Sequence, residues 1–383
     1  MKKILISITA RPSYSRIKSA IIALRNNPEV EVSVLASGSA LLERYGRVVD
    51  LIREDGIHIE DELYTFVEGN EPVNMALTTA STIDAVARVI SRLSPDMVVT
   101  IADRYETLGV AIAASYCGIP LVHVQGGEVT GNIDERVRHA VTKLSDLHLV
   151  ANVNAADRVR RMGESESTIH VTGCPSLDIV DAAKKLSVEE IQRAIEERGV
   201  GVALDVSCPF VILMQHPETE SFEKSYERML MTLEAVDKIN IPVLIFWPNV
   251  DAGSDATSKA IRHMRERSSL RKFRLIKNLE GSVFLKLLTL SKCLIGNSSA
   301  GIRECSILGV PVVNIGSRQC DRERGDNVVD VDWSSDLIFK ALDRQTNASH
   351  FTPNFIYGDG LAGQRIADLL AKPLNFPAKR FKD

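Results

Sequence analysis

Apolar runs rich in β-branched residues alternate along the first half of the chain with longer amphipathic segments. The apolar runs are KKILISIT, VEVSVLAS, DMVVTIA, IPLVHVQ and DLHLVAN. Their nearly continuous apolar character is typical of strands covered on both faces of a parallel sheet. The segments between them repeat apolar residues with helical period, as in SRIKSAIIALRNN, ALLERYGRVVDLIRED and TIDAVARVISRL. This alternation predicts βα units.

A second series of strand-like runs follows the first: PFVILMQ, IPVLIFW, KFRLIK, KCLIGN and VPVVNIG. Two successive series predict an α/β protein with two Rossmann-like, doubly wound parallel-sheet domains and an interdomain cleft. We place the boundary just ahead of the polar stretch 183–208. The predicted domains are residues 1–175 and 176–358, with a terminal helix and tail, 359–383, that would pack back on the N-terminal domain.

The composition limits the partners and the cellular location that we expect for the protein. A net charge of −4 with 45% hydrophobic residues fits a globular protein and argues against nucleic-acid or membrane partners. The lysines and short apolar run at the N-terminus faintly resemble a signal peptide, but a first strand fits better. The six cysteines show no CxxC spacing, so we expect reduced thiols, no structural zinc and a cytoplasmic location.

Polar residues follow several strands, and ligands of open parallel sheets bind beyond the carboxyl ends of the strands. Arg11 follows the first strand, with Ser13 or Ser15 near the next helix start. Asp103 and Arg104 follow DMVVTI. The functional interpretation is a general base beside a phosphate-binding arginine. An ion pair that holds the following helix explains the same residues equally well.

The stretch 121–143 passes from a strand to a helix through GGEVTGN. Gly126 and Gly127 would let the backbone turn tightly and approach a ligand. Glu128 lies in the loop, and Asn132 would cap a helix whose first turn holds Asp134. The alternative for Asp134 is a simple complement to the helix dipole.

The helix after this loop carries two ordinary i,i+4 spacings. Arg138 lies four residues after Asp134, and His139 lies four residues after Glu135. These pairs are compatible with a purely structural role.

The segment GNSSAGIRE is the sharpest signal in the second half. Ser298 and Ser299 follow a strand at a predicted helix N-terminus, which is a typical anion site. Glu304 would reach ribose hydroxyls. The segment matches neither a Walker motif nor GxGxxG, so NTP hydrolysis and dinucleotide binding lack their markers.

Three further candidates follow other strands of the second half. His216 lies in MQHPET, Asn249 in FWPNVDAGS, and Arg318 in GSRQCDRERGDN. Together the candidates predict a phosphorylated, nucleotide-linked ligand. The first domain would supply acids, and the second would supply cations and helix N-termini.

Assembled in order, these motifs resemble the hydrolysing UDP-N-acetylglucosamine 2-epimerases over nearly the whole chain. The motifs are R-x-x-Y-S, DR, GGE-V-x-G-x-ID-x-x-x-RHA, QHP-x-T, PN-x-DAGS, IGNSS-x-G-x-RE and IYGDG. The resemblance implies a GT-B-like fold and elimination of UDP to a glycal, followed by hydration to N-acetylmannosamine. It also implies a homodimer or homotetramer, and the reaction requires no cofactor or metal.

The resemblance also assigns roles to residues. Asp103, Glu128 and Asp134 become acid/base candidates, with Arg138 close by, and Glu304 would hold the ribose. The expected UDP site is formed by Arg11, Ser15, Arg104, His216, Asn249, Ser298, Ser299 and Arg318.

The sequence departs from the family pattern on the sugar side. Ile101-Ala102 replaces the usual His-Gly, Ala40 replaces a histidine, and Pro12-Ser13 stands where an aspartate is common. Gln125 replaces the usual acid and cannot exchange a proton. Gln125 would then only orient the sugar or its acetamido group, or the substrate differs.

The alternatives are a hydrolysing epimerase of a UDP- or GDP-linked diacetamido-trideoxy hexose and a non-hydrolysing 2-epimerase. A GT-B glycosyltransferase and a non-catalytic nucleotide-sugar sensor also stay open. Among these alternatives, the epimerase that acts on an altered sugar is favoured, because the sequence departs from the family pattern on the sugar side and keeps the motifs on the UDP side.

Overall fold

The computed structural model describes residues 1–69, 71–130, 133–248, 253–267 and 273–380. The chain forms two compact units. Unit 1 comprises Met1–Glu128, Ile133–Asp178 and Tyr357–Asp383, and unit 2 comprises Val129–Asn132 and Ile179–Ile356. Apart from the segment Val129–Asn132, the chain passes from unit 1 to unit 2 after Asp178 and returns at Tyr357. The boundaries predicted from the sequence follow residues 175 and 358.

Strands and helices alternate through both units. The strands are β1 (Lys2–Ile8), β2 (Val30–Ser37), β3 (Ile59–Leu63), β4 (Met97–Ile101), β5 (Leu121–Val124), β6 (Leu147–Val150), β7 (Ile169–Val171), β8 (Gly199–Gly201), β9 (Val211–Met214), β10 (Val243–Phe246), β11 (Phe273–Ile276), β12 (Cys293–Gly296), β13 (Val312–Ile315) and β14 (Val328–Val331). The helices are α1 (Arg11–Ser15), α2 (Lys18–Arg25), α3 (Val48–Glu54), α4 (Pro72–Leu93), α5 (Tyr105–Tyr116), α6 (Ile133–Leu144), α7 (Val153–Arg161), α8 (Val180–Lys185), α9 (Val188–Arg198), α10 (Ser225–Asp237), α11 (Ser254–Arg267), α12 (Gly281–Leu290), α13 (Ser299–Ile302), α14 (Glu304–Leu308), α15 (Ser335–Thr346) and α16 (Ala362–Ala371).

The sheet of unit 1 contains seven strands among the described residues, in the order β3-β2-β1-β4-β5-β6-β7, all parallel. The order reverses between β1 and β4. At such a switch point the loops after two neighbouring strands diverge to opposite faces and leave room for a ligand. The residues that follow β1 and β4 therefore lie where an α/β sheet of this kind binds ligands.

Alternate residues of the unit 1 strands pack against opposite helical layers. Ile4, Ile6 and Ile8 of β1 pack with apolar residues of α2 and α16. Leu5 faces the other way, into a cluster with residues of α4 and α5. This burial on both faces explains the continuous apolar runs in the sequence.

The C-terminal helix α16 is anchored in unit 1 by Asp178. The Asp178 carboxylate accepts hydrogen bonds from the backbone N–H groups of Ala362 (3.0 Å) and Gly363 (2.5 Å) and from the Ser19 hydroxyl (2.7 Å). Burial raises the pKa of Asp178, although these three bonds oppose the shift. Asp178 thus satisfies the first turn of α16 and joins it to α2.

The sheet of unit 2 also contains seven described strands, in the order β14-β13-β12-β9-β10-β11-β8. Its switch point lies between β9 and β12. Strand β8 is antiparallel to β11.

Arg274 caps the C-terminal end of α9. Its guanidinium donates hydrogen bonds to the carbonyl oxygens of Ile195, Glu196 and Gly199, which lie at this end of the helix.

The predicted α/β class is confirmed, and two details of the prediction are wrong. The segment ALLERYGRVVDLIRED is not one helix, because Gly46 and Arg47 adopt left-handed backbone angles and divide short 3-10 turns from α3. Strands β3, β7, β8 and β14 were not predicted. They are short or half-polar edge strands, which lack the apolar signal of central strands. No described helix has both the length and the apolar character that membrane crossing requires.

Candidate active site

Two neighbouring strands of unit 1 end in left-handed residues that are not glycine. Ala102 follows β4 with φ of 64°, and Gln125 follows β5 with φ of 66°. Both backbones are fixed by sheet hydrogen bonds, from Ala102 N to Val124 O (2.9 Å) and from Gln125 N to Leu149 O (2.8 Å). Strained backbone that the surrounding structure holds in place is frequent at functional sites.

A buried histidine supports the first of these strained residues. His123 Nε2 lies 2.8 Å from the Ala102 carbonyl oxygen, and Nδ1 lies 3.1 Å from the Thr142 hydroxyl. A carbonyl oxygen only accepts, so Nε2 carries the hydrogen. Burial lowers the pKa of His123 to about 3, and the ring is therefore neutral. This role was not predicted, although a histidine inside an apolar strand is a signal for it.

A buried arginine links two of the acid/base candidates. Arg138, whose side chain is 1% exposed, forms an ion pair with Asp103 and donates from Nη1 to the Glu128 carbonyl oxygen (2.7 Å). Asp134 lies in the first turn of α6, partly exposed. The sequence spacing placed Arg138 four residues after Asp134, and the structure adds an ion pair of Arg138 with Asp103, which lies on another element. Asp103 and the Glu128 loop are thereby held together.

Arg104 pairs with a carboxylate that is not among the predicted site residues. Its Nε lies 3.2 Å from Glu106 Oε2, and its guanidinium lies 5.0 Å from the centre of the Tyr105 ring. Glu106 is fully buried. Asp103 and Arg104 thus belong to two separate ion pairs, Asp103 with Arg138 and Arg104 with Glu106.

The two glycines after β5 pack against the protein itself. A Cβ atom at Gly126 would lie 2.9 Å from both His123 Nδ1 and the Thr142 hydroxyl. A Cβ atom at Gly127, whose φ is 73°, would overlap the Ala155 carbonyl. Both glycines are thus required by the close packing of this loop on α6 and α7.

The turn after β1 depends on Ser13 rather than on Ser15. The buried Ser13 hydroxyl accepts from the N–H groups of Thr9 (3.2 Å) and Ala10 (3.0 Å). Ser15 is exposed, and its hydroxyl donates to the Pro12 carbonyl. Arg11 is the first residue of α1 and is partly exposed at the switch point of unit 1.

In unit 2, Asn297 joins the ends of three strands. Its side chain accepts from His216 N (2.7 Å) and donates to His216 O (2.9 Å). Its carbonyl oxygen accepts from Arg318 Nη1 (3.3 Å) and from Gln319 Nε2 (3.0 Å). Asn297 therefore brings the predicted residues His216 and Arg318 to one edge of the sheet. It was missed because its partners are remote in sequence.

The serines that follow Asn297 cap a short helix. The Ser298 hydroxyl accepts from Ala300 N (3.3 Å), and Ser299 begins α13. This helix ends at Ile302, and Glu304 begins α14 after it, so the predicted single helix is two short ones. The serines and Glu304 lie at the switch point of unit 2.

Glu218 fixes the loop that carries Arg318. Its carboxylate accepts from the N–H groups of Ser317 (2.9 Å) and Arg318 (3.2 Å) and from Arg228 Nη1 (2.6 Å). Glu218 is 7% exposed. The predicted residues Asn132 and Asn249 lie outside the described residues.

Metal ligands do not cluster in the part of the chain that the structure describes. No group of three or more His, Cys, Asp or Glu side chains is placed there to hold a metal ion.

Solved structures of UDP-GlcNAc 2-epimerases share the fold of this chain. UDP-GlcNAc 2-epimerase of Neisseria meningitidis, bound to UDP-GlcNAc, superposes with a TM-score of 0.80 at 19% identity, over 96% of this chain and 99% of that one. The Methanocaldococcus jannaschii enzyme, in complex with UDP-GlcNAc and UDP, gives a TM-score of 0.80 at 18% identity over the same shares. At these identities the likeness shows the fold, and it confirms the predicted class.

The chain belongs to the UDP-N-acetylglucosamine 2-epimerase family, whose profile matches residues 22–371. It is 31% identical over 370 residues to the hydrolysing UDP-N,N'-diacetylbacillosamine 2-epimerase of Legionella pneumophila, covering 97% of this chain and 96% of the relative. It is 28% identical to a UDP-N-acetylglucosamine 2-epimerase of Neisseria meningitidis, covering 100% and 99%. The family resemblance drawn from the motifs is confirmed.

Proposed function

We propose that the protein is a hydrolysing UDP-N-acetylglucosamine 2-epimerase that converts UDP-N-acetylglucosamine and water to N-acetylmannosamine and UDP. The observation that carries the proposal is the buried Arg138, which holds Asp103 against the loop of Glu128 at the ends of β4 and β5. Carboxylates in fixed positions are what proton transfer at a weakly acidic sugar carbon requires.

The proposed reaction has two steps. In the first, a carboxylate among Asp103, Glu128 and Asp134 takes the C2 proton, a C1–C2 double bond forms, and the C1–O bond to UDP breaks. In the second, water adds across the double bond, with hydroxide at C1 and a proton at C2 on the opposite face. The departing UDP carries the electron pair of the C1–O bond.

The expected nucleotide site uses cations and hydroxyls to stabilise the charge that develops on UDP. His216 and Arg318 meet at Asn297, and Glu218 fixes the Arg318 loop, which supports a rigid anion site in unit 2. The full set assigned from the family pattern is Arg11, Ser15, Arg104, His216, Asn249, Ser298, Ser299 and Arg318, with Glu304 on the ribose.

A second candidate is the same reaction on a UDP- or GDP-linked diacetamido-trideoxy hexose. The observation that favours it is Gln125, a neutral amide at a strand end where the family pattern has an acid. The similarity to the Legionella pneumophila epimerase, which is named for UDP-N,N'-diacetylbacillosamine, points the same way.

The test is to incubate the protein in D2O with each UDP-sugar and follow the products by NMR. We expect free N-acetylmannosamine with deuterium at C2, and UDP in equal amount. Turnover of the diacetamido sugar alone would select the second candidate. Deuterated UDP-N-acetylmannosamine without free sugar would contradict hydrolysis, and UDP binding without exchange at C2 would contradict both candidates.

A further inference from the structure

The side chain of Gln125 lies in a buried polar cluster at the end of β5. Gln125 is 1% exposed, and its left-handed backbone is fixed by the hydrogen bond to Leu149. Its Nε2 donates to Cys174 Sγ (2.7 Å), and this sulfur lies 3.1 Å from the Ser176 hydroxyl. Amide, thiol and hydroxyl therefore form one chain of contacts between β5 and the turn after β7.

The thiol at the middle of this chain is held rigidly. Cys174 N donates to the Tyr357 carbonyl oxygen (2.7 Å), and Cys174 O accepts from Leu177 N (3.0 Å). The backbones on either side meet at two glycines: a Cβ atom at Gly173 would lie 3.3 Å from the Gly358 Cα atom. Cys174 is fully buried, so its sulfur has little freedom to move away from Gln125.

The other end of the amide, Gln125 Oε1, has no hydrogen-bond partner among the described residues. A buried carbonyl oxygen without a donor is destabilising, because it has lost its hydrogen bonds to water. A ligand with an N–H or O–H group would satisfy it, whereas an anionic group would not, because a carbonyl oxygen only accepts. Gln125 Oε1 is thus a buried acceptor at the end of β5, three residues before the candidate Glu128.

We infer that Cys174 and Ser176 are positioning residues that orient the Gln125 amide, so that Oε1 accepts a hydrogen bond from an acylamino N–H of the substrate sugar. The inference rests on the proposed function, since it places a 2-acylamino sugar at this strand end. Gln125 then contributes to substrate specificity, because its amide is held with Oε1 as the acceptor that faces the sugar. It takes no part in proton transfer, which leaves that task to the carboxylates.

Kinetics of matched variants test the positioning role. Cys174→Ala removes the contact with Nε2 and is expected to raise KM for the acylamino UDP-sugar about tenfold, the loss of one hydrogen bond of about 1.4 kcal/mol. Cys174→Ser keeps a polar contact and is expected to stay within about threefold of the parent. The inhibition constant of UDP alone should not change in either variant. The control is Cys293→Ala, which removes another fully buried thiol.

Two kinetic results would contradict the inference. One is an unchanged KM in Cys174→Ala, and the other is an equal loss in Cys174→Ser and Cys174→Ala at equal melting temperature. The pH profile provides a further readout, because Gln125→Glu should add an ionisation to kcat/KM that the parent lacks. A Gln125→Glu profile identical to that of the parent would contradict the inference, because it would show that the side chain at this position does not contact the substrate.

NMR separates this inference from the proposed function. In protein labelled with 15N-glutamine, the Gln125 side-chain resonance is assigned by its absence in Gln125→Glu. We expect Cys174→Ala to shift it, and we expect UDP-N-acetylglucosamine, but not UDP, to shift it in the parent protein. Equal shifts with UDP and the UDP-sugar would overturn the inference. A sugar-specific shift without turnover would instead contradict the proposed reaction and leave the amide contact standing.

Discussion

The strands that carry the candidate groups end differently in the two units. In unit 1, β4 and β5 are followed by Ala102 and Gln125, which adopt left-handed backbone angles although each has a side chain. In unit 2, β12 ends in Gly296 with φ of 131°, and a Cβ atom there would overlap the Met214 carbonyl. In unit 1, residues with side chains thus occupy the left-handed positions after β4 and β5. In unit 2, glycine occupies the position of positive φ at the end of β12.

This difference matches the chemistry proposed for each unit. A left-handed residue other than glycine costs about 1–3 kcal/mol, and it persists where neighbouring groups hold it. In unit 1 the neighbours are His123, which binds the Ala102 carbonyl, and Cys174, which binds the Gln125 amide. Proton transfer and sugar recognition need side chains in fixed positions, whereas the shape of a strand-to-helix turn needs only backbone.

The largest effect is expected from Gly296→Ala. The added methyl group overlaps a strand carbonyl and imposes an unfavourable φ, so we expect loss of more than about 3 kcal/mol of stability and loss of UDP binding. Thermal unfolding and calorimetry with UDP measure the two effects. The control is Gly118→Ala, where φ is 69° but a Cβ atom would meet nothing within 4 Å. It should cost only about 1 kcal/mol.

A Gly296→Ala protein that melts within a few degrees of Gly118→Ala would break the comparison. It would show that the end of β12 adapts to a side chain, as the ends of β4 and β5 do.

A second large effect is expected in catalysis. Asp134→Asn removes a candidate acid/base group, and we expect kcat to fall by about 10²–10⁴-fold. UDP affinity and melting temperature should stay near those of the parent. Glu135→Gln changes the neighbouring acid of the same helical turn, which pairs with His139, and serves as the control. Equal losses in both variants would indicate a helix effect rather than a role of Asp134 in the reaction.

The sequence predicted the architecture better than the contacts within the site. Central strands are continuous apolar runs, so the α/β class and the strand ends that carry Asp103, Gln125 and Ser298 were predictable. Edge strands such as β3 and β14 carry half-polar residues and were not. The partner Cys174 was not predicted because its contact with Gln125, 49 residues away, forms only in the fold. Glu106 lies two residues from its partner Arg104 and was not predicted because it is one acid in the first turn of a helix, where acids are common.

A smaller effect is expected from pH. Burial lowers the pKa of His123 to about 3, below the ordinary value of 6.5. The unfolded chain therefore binds a proton between pH 6.5 and 3 that the folded protein excludes, so stability falls with acidification across this window. This residue contributes at most about 1.4 kcal/mol for each pH unit.

The measurement is chemical denaturation of the parent protein and of His123→Gln at several pH values. Glutamine takes no proton, so the variant should start less stable at pH 7 and lose less stability on acidification. Parallel curves for the two proteins would show that His123 does not exclude a proton in the fold, and that the support of Ala102 is insensitive to pH.

The smallest effect is expected from Ala102→Gly, which gives unit 1 the type of residue that ends β12 in unit 2. Relief of the left-handed strain favours the variant by about 1–2 kcal/mol, and the greater freedom of glycine in the unfolded chain opposes it by about 0.5–1 kcal/mol. We therefore expect a net gain between zero and about 1.5 kcal/mol in the free energy of unfolding. Asp103, the next residue, would keep its ion pair with Arg138, so kcat should change less than about threefold. A loss of stability would mean that the Ala102 methyl group contributes packing in excess of its strain, and that the end of β4 requires this side chain.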